Sequence, residues 1–431
     1  MEEERELEIR LSDGSLTKNY IHQFRDDGKC RWLFLANAIY QKTTDYANAK
    51  TLRIKLRGEF DPKLYNTISG EISPVPCRYD GGYTLLELRA YVHDSFLLKL
   101  DKGQRKQKKD EKAAPALPPY RLLNTFDYKM RVPYRLEEPN VLLLDLAEYT
   151  CDGREEFQPL EEVRRIDRAI RTLAGIPPRR GCQPWVLPEG AAEHTATLRF
   201  RFTSETEVRD ACLALEDADL AEITLDGITV TTAPSGYYVD ESIKTVVLPT
   251  IGVGEHTITV TIPLGARTCI EACYLLGSFN VRLEGCEKTL TAPTDAIGFG
   301  SITEQGMPFY TGNITYRCEF DVEEDDCTVQ FHANYYRGAL ITVSLDGERV
   351  GRIVSSPYNI NAHHVKKGRH VAEFTLYGNR YNCFSALHST NTNTDQIHPS
   401  RWFNRDDAFS YNYQLRPTGI ITSPKVLIYK R

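Results

Sequence analysis

Long apolar runs are missing from this 431-residue sequence. Nothing in it approaches the roughly 20 consecutive apolar residues that a bilayer-spanning helix needs, so no membrane partner is expected. An excess of positive charge is missing too. The 53 lysines and arginines stand against 59 aspartates and glutamates, a net of −6, which gives a phosphate backbone no general attraction and argues against nucleic acid. No Cys-x-x-Cys pair occurs. The eleven cysteines are scattered singly, an arrangement that argues against a structural zinc or a disulfide framework and points to a reducing compartment. The opening Met1-Glu2-Glu3-Glu4-Arg5-Glu6 is not the basic start and apolar run of an export signal, and the expected location is cytoplasmic. No strand–helix series could build an eightfold barrel. A Gly-x-Ser-x-Gly elbow and a phosphate-cradling glycine loop are also lacking.

What is present is alternation. Leu7-Glu8-Ile9-Arg10-Leu11, Leu52-Arg53-Ile54-Lys55-Leu56, Thr197 to Phe202 and His256 to Ile262 all switch between apolar and polar residues with period two, the mark of half-buried strands. Asp26-Asp27-Gly28, Asp80-Gly81-Gly82, Leu225-Asp226-Gly227 and Leu345-Asp346-Gly347 supply closely spaced turns. An all-β architecture of sandwiches or jelly rolls follows. One stretch departs from it: Leu160 to Leu173 places apolar residues every three or four positions and predicts a helix near 159–174. Pro159 suits its first position and Gly175 its C-terminal end, and its charged face is expected to be solvated. Cys269 and Cys273 read as small buried hydrophobes near a strand end.

The charged run Gly103 to Lys112, followed by an Ala/Pro stretch, cannot bury a core and reads as a tether. It divides the chain into a small β-sandwich at 1–101, a linker at 102–118, a jelly roll with the helical insertion at 119–294 and a second jelly roll at 295–431. The last two units share an echo. Asp226-Gly227 and Asp346-Gly347 are each followed by a Gly-x-His strand opening, Gly254-Glu255-His256 and Gly368-Arg369-His370, which suggests related sandwiches in tandem.

Several segments carry a family resemblance. Gln305 to Tyr316, Leu345-Asp346-Gly347 with Pro357 to Ile360, Lys367 to His370, and the closing Trp402-Phe403 and Tyr411 to Ile420 resemble the galactose-binding-like jelly roll of β-galactosidase-type and rhamnosidase-type glycoside hydrolases. Lys63 to Ile72 and Asp94 to Leu98 resemble the small β-sandwich behind the catalytic barrel of such enzymes. The resemblance implies a non-catalytic accessory region that braces a catalytic domain or binds carbohydrate. A stand-alone lectin-like or adhesion module is the alternative. A glycosidase with its site at a domain junction is the third reading.

The residues themselves bear on these readings. Glycoside hydrolysis needs two placed carboxyl groups, and Glu271, Glu304 and Asp406 are loose candidates without a partner assigned. Sugar binding asks for aromatic faces beside planar hydrogen-bonding groups. Tyr335, Tyr336 and Arg337, the loop with Asn359 and Asn361, Arg380 with Tyr381 and Asn382, and Trp402 with Arg405 offer these. The acids Asp321, Glu323, Glu324, Asp325 and Asp326 could hold a structural calcium, against a plainer reading as a solvated hairpin tip. His363 and His364 are expected in an exposed polar loop.

Overall fold

A computed structural model describes residues 5–38, 48–68, 70–92, 94–102, 121–176, 187, 191–391 and 408–430. The described residues are 54% strand and 6% helix, and the sheets pack around three separate hydrophobic cores. The all-β expectation holds because period-two patterning governs nearly every segment.

The first core lies between two antiparallel sheets. One takes Leu7–Leu11, Lys50–Arg57, Tyr83–Ala90 and Cys77–Asp80 in that spatial order; the other takes Tyr20–Asp26, Cys30–Asn37, Ser95–Lys102, Phe60–Tyr65 and Ile72–Pro74. Leu52, Ile54 and Leu56 point inward while Arg53 and Lys55 face solvent, as a half-buried strand requires. The expected linker at 102–118 falls outside the described residues except for Lys102, which ends Ser95–Lys102.

The middle unit pairs Asn140–Leu144, Cys273–Gly277, Cys212–Glu216, Asp240–Val247 and Gly236–Tyr238 in one sheet. Its other sheet runs Gln158–Glu162, Leu146–Cys151, His194–Ser204, Gly254–Leu264, Glu222–Leu225 and Ile228–Val230. The helix is Val163–Leu173, three residues shorter at its start than the sequence pattern predicts. Pro159 belongs to the preceding strand, and the Glu162 carboxylate caps the helix by accepting from the backbone N–H groups of Arg164 and Arg165. Gly175 sits just past the end with φ +68°, the left-handed conformation expected there. The helix's polar face is only partly solvated. Arg171 is fully buried, donating to Asp167 at 2.9 Å and to the Thr268 carbonyl at 2.6 Å. Cys273 is buried and Cys269 half-buried.

The last unit is assembled from segments on either side of the middle unit. Arg121–Asp127 pairs with the C-terminal strand Lys425–Lys430, which pairs with Cys327–His332 and then Asn359–Val365. Val132–Leu136 pairs with Ile314–Val322, next to Gly368–Leu376, Ile341–Leu345 and Glu348–Ile353. Residues 121–136 therefore hydrogen-bond into the last sandwich, not into the jelly roll at whose head the sequence reading placed them. The middle unit interrupts this sandwich between Leu136 and Ala296. Such pairing across the whole chain leaves no local trace for composition to report.

After Gly368–Leu376, residues 381–387 and 413–415 leave their own sandwich and cover the outer face of the jelly roll. Phe384 rests against Tyr238 and Tyr274, with ring centroids 6.0 and 5.1 Å away, and Leu387, Tyr413 and Leu415 join the same core. That cover explains why Asn140–Leu144 and Cys273–Gly277 are buried on both faces. Beneath it lies a buried polar knot. Asp145 accepts from Tyr413 and from Nε2 of His388 at 3.1 Å, with Lys288 Nζ at 3.5 Å. Although burial pushes the Asp145 carboxyl upward, these neighbours hold it down to about 2.

The echo between the last two units is one structural device. Asp226 and Asp346 both sit at positive φ ahead of a positive-φ glycine, the two-residue turn that Asp-Gly favours. In each, one carboxylate oxygen accepts from a strand N–H, that of Thr257 or Val371, at 2.8 Å. The other meets Nδ1 of the preceding histidine, His256 at 2.8 Å or His370 at 2.7 Å. A third copy went unnoticed in the sequence: Asp152-Gly153 holds Thr195 N–H and His194 Nδ1, both at 3.0 Å.

Candidate functional site

A groove of about 1000 Å³ opens where the jelly roll meets the last sandwich. Its floor is the strand Asn280–Glu284 on one side and the segment after the short turn Ile302–Glu304 on the other. Asn140 stitches them together. Its buried side-chain amide donates to the carbonyls of Phe279 at 2.7 Å and Gly306 at 3.0 Å, and the Val281 N–H reaches the Gly306 carbonyl at 2.9 Å. Gly306 is required here. Its φ is +86°, and a Cβ would lie 2.5 Å from Cγ of Asn280, a distance no side chain could accept. Gln305 closes the adjoining loop by accepting from the Gly298 N–H at 2.8 Å and donating to the Gly298 and Ser301 carbonyls.

The rim carries charge in planar groups. Arg282 grips Glu205 with two parallel hydrogen bonds of 2.9 and 2.7 Å, and its Nε donates to Glu284 at 3.1 Å. The hydrogen bonds from Arg282 keep the Glu205 carboxyl below its ordinary value, so Glu205 is a fixed acceptor and no store for a proton. Arg131 and Glu304 line the same groove with exposed side chains, and the half-buried Leu415 and exposed Pro417 add apolar surface. The arrangement offers flat apolar patches beside fixed donors and acceptors, which is how polyhydroxylated ligands are held.

The structure scatters the residues that the sequence singled out for sugar binding. Tyr335, Tyr336 and Arg337 stay together around a short strand. The Arg337 guanidinium lies 5.1 Å from the Tyr335 ring centre, whereas the Tyr336 hydroxyl is engaged by the Ile353 carbonyl at 3.2 Å. Asn359 and Asn361 belong to the strand Asn359–Val365 and not to a loop. Asn359 stays close to the tyrosines through Tyr358, whose ring meets Tyr336, but the Asn361 amide is taken by Gln330 at 3.0 Å. Arg380 and Tyr381 lie elsewhere, at the seam between units. Arg380 forms a bidentate ion pair with Glu138, and Arg416 stacks 3.8 Å over Tyr381. Asn382 is wholly buried, bonded to the backbone of Arg416. Trp402, Arg405 and Asp406 lie outside the described residues.

The acidic hairpin tip considered for calcium faces basic groups of the chain. Glu324 lies near Arg121 and Lys430, Asp325 accepts the Lys367 N–H, and Asp326 pairs with His364. His363 and His364 are exposed as expected, but on a strand. Of the carboxylates considered for hydrolysis, Glu304 is placed in the groove. Arg131, Glu205 and Arg282 escaped the sequence reading because they are ordinary exposed charged residues, and Asn280 because it is a buried strand residue; only the docking of the two units makes them converge.

No family profile matches the chain. No curated protein matches it. Among solved structures it is similar to a rhamnosidase from Novosphingobium sp. PP1Y, at 13% identity and a TM-score of 0.41, over 98% of this chain and 25% of that one. It is similar also to a β-D-mannosidase from Dictyoglomus thermophilum, at 11% identity and 0.21, over 55% of this chain and 31% of that. A Pleurotus ostreatus lectin in its apo form aligns at 11% identity and 0.17, over 59% and 79%. The chain thus spans a quarter of the rhamnosidase and about a third of the mannosidase.

Proposed function

We propose that this chain is a non-catalytic accessory region of a glycoside hydrolase, which braces a catalytic domain and seats carbohydrate in the groove between its jelly roll and last sandwich. The observation that carries the reading is the groove's lining. Two hydrogen bonds join the Glu205–Arg282 pair, which orients its outward lone pairs and N–H groups toward hydroxyls and reduces the side-chain entropy lost on binding. Leu415 and Pro417 supply the apolar face that one side of a pyranose needs. The segment resemblances to galactose-binding-like jelly rolls add support.

A hydrolase working in this groove would need two carboxyl groups of different character. Glu205 is committed to Arg282, and among the described lining residues Glu304 is the other carboxylate. The non-catalytic reading is therefore preferred. The purified chain should bind one or more glycans on an array and in calorimetry, and leave aryl glycosides intact. Turnover abolished by Glu304→Gln would establish the catalytic reading instead, and silence on the array would reduce the role to bracing.

A further inference from the structure

Cys151, Asp152 and His194 stand together at one end of the jelly roll, and we propose that they form a binding site for a thiophilic divalent cation, with zinc as the fitting occupant. Their donor atoms all lie within 4.8 Å of one another, and Asp152 Oδ2 is 3.0 Å from His194 Nδ1. Zinc binds sulfur at about 2.3 Å and imidazole nitrogen or carboxylate oxygen at about 2.0–2.2 Å. Neighbouring donors of a tetrahedral site are then about 3.3–3.7 Å apart, so the Asp152–His194 pair would open slightly and the thiol would close in, both within reach of side-chain rotation. Thiolate, imidazole and carboxylate together favour zinc over calcium or magnesium, which prefer oxygen alone.

The protein contains its own controls. Asp226 with His256 and Asp346 with His370 reproduce the same turn and the same Asp–His contact, so that contact by itself is a structural clamp. Two features set the third copy apart. Leu225 and Leu345 precede the other two aspartates, whereas Cys151 takes that place here. Backbone carbonyls also occupy Nε2 of His256 and His370, those of Gly252 at 3.0 Å and Lys366 at 2.9 Å. Among the described residues, no such carbonyl sits on Nε2 of His194. The side chains of His194 and Asp152 are 28% and 37% exposed while Cys151 is buried, so the ion would reach the thiol from the His194 and Asp152 side. Binding transfers the Cys151 thiol proton to solvent, forms a sulfur–metal bond and displaces water from the aquo ion. Cys151 and His194 are 43 residues apart in sequence, so a search for Cys-x-x-Cys spacing could not find them.

The test is a titration of the reduced full chain with Co²⁺, which reports thiolate ligation by a near-ultraviolet charge-transfer band, followed by displacement with Zn²⁺. One equivalent should develop the band. Cys151→Leu, which installs the residue of the sister turns, should erase it while the thermal unfolding midpoint is kept. Cys151→Ser serves should that variant fail to fold. His194→Gln should weaken cobalt affinity by about 10- to 100-fold, as the loss of a ligand or its support does elsewhere. A wild-type chain without the band, or a band that survives replacement of Cys151, overturns the proposal.

Discussion

Asp346 holds His370 by the contact with which Asp226 holds His256: carboxylate to Nδ1 at 2.7 and 2.8 Å, across a turn that puts both aspartates at positive φ. The clamp ties the hairpin turn to the neighbouring strand, because the second carboxylate oxygen is committed to an N–H of that strand. Burial opposes ionisation of Asp346, but the hydrogen bonds from His370 and the Val371 N–H outweigh it and hold its carboxyl below the ordinary value. A depressed carboxyl contributes stability that is complete above its unfolded value near pH 4 and fades as pH falls through the folded one. Asp346→Ala should lower stability by about 1 kcal/mol at pH 7, the loss being limited by the side chain's exposure. The difference from wild type should vanish toward pH 2 in urea unfolding curves.

Asp145 makes a larger version of the same argument. It is buried, unlike the turn aspartates, and it receives three partners from two units. Asp145→Ala leaves the buried Lys288 amine without its counter-charge and His388 and Tyr413 without their hydrogen-bond partner, and should destabilise the chain by about 3–5 kcal/mol. Since the wild-type carboxyl is held to about 2, its contribution should be fully present above pH 4 and be lost below about pH 2. Thermal unfolding followed by circular dichroism across pH 2–7 measures both the size and the sign.

The strands were legible in the sequence because each carries its own two-residue period, and the Asp-Gly echo was legible because both copies open on Leu-Asp-Gly. Asp152-Gly153 was missed because cysteine stands where the other copies have leucine. The run Val141-Leu142-Leu143-Leu144 does not alternate, and it is buried on both faces by a cover that begins more than two hundred residues later. The same non-locality hid the pairing of Arg121–Asp127 with Lys425–Lys430 and the whole candidate groove. Its lining comes from surfaces that have no apolar signature of their own, and it exists only once two sandwiches have docked.

Gly306 tests whether the groove depends on that docking. Any side chain there must leave the left-handed region or displace Asn280, whose side chain lies 2.5 Å from the Cβ position. Gly306→Ala should cost at least about 1–3 kcal/mol. The damage should concentrate at the seam, so hydrogen exchange should quicken at the Val281 N–H, which bonds to the Gly306 carbonyl. Amides in the first sandwich, such as Leu52 to Leu56, should exchange at the wild-type rate.

Two surfaces compete as the glycan seat, and one pair of variants separates them. Arg282 contributes a guanidinium fixed by Glu205 and Glu284 in the groove, whereas Arg337 lies against Tyr335 on the last sandwich alone. If the groove holds the ligand, Arg282→Ala should weaken binding about tenfold or more, the worth of a hydrogen bond to a charged group, and Arg337→Ala should change it less than twofold. The opposite ranking in calorimetry would move the site to the Tyr335–Arg337 surface, where Tyr335 is 45% exposed and could stack on a sugar face. Arg282→Ala also unpairs Glu205, so Glu205→Gln belongs beside it. It keeps a planar acceptor in place while removing the ion pair, and it should retain more affinity than Arg282→Ala if the guanidinium itself meets the ligand.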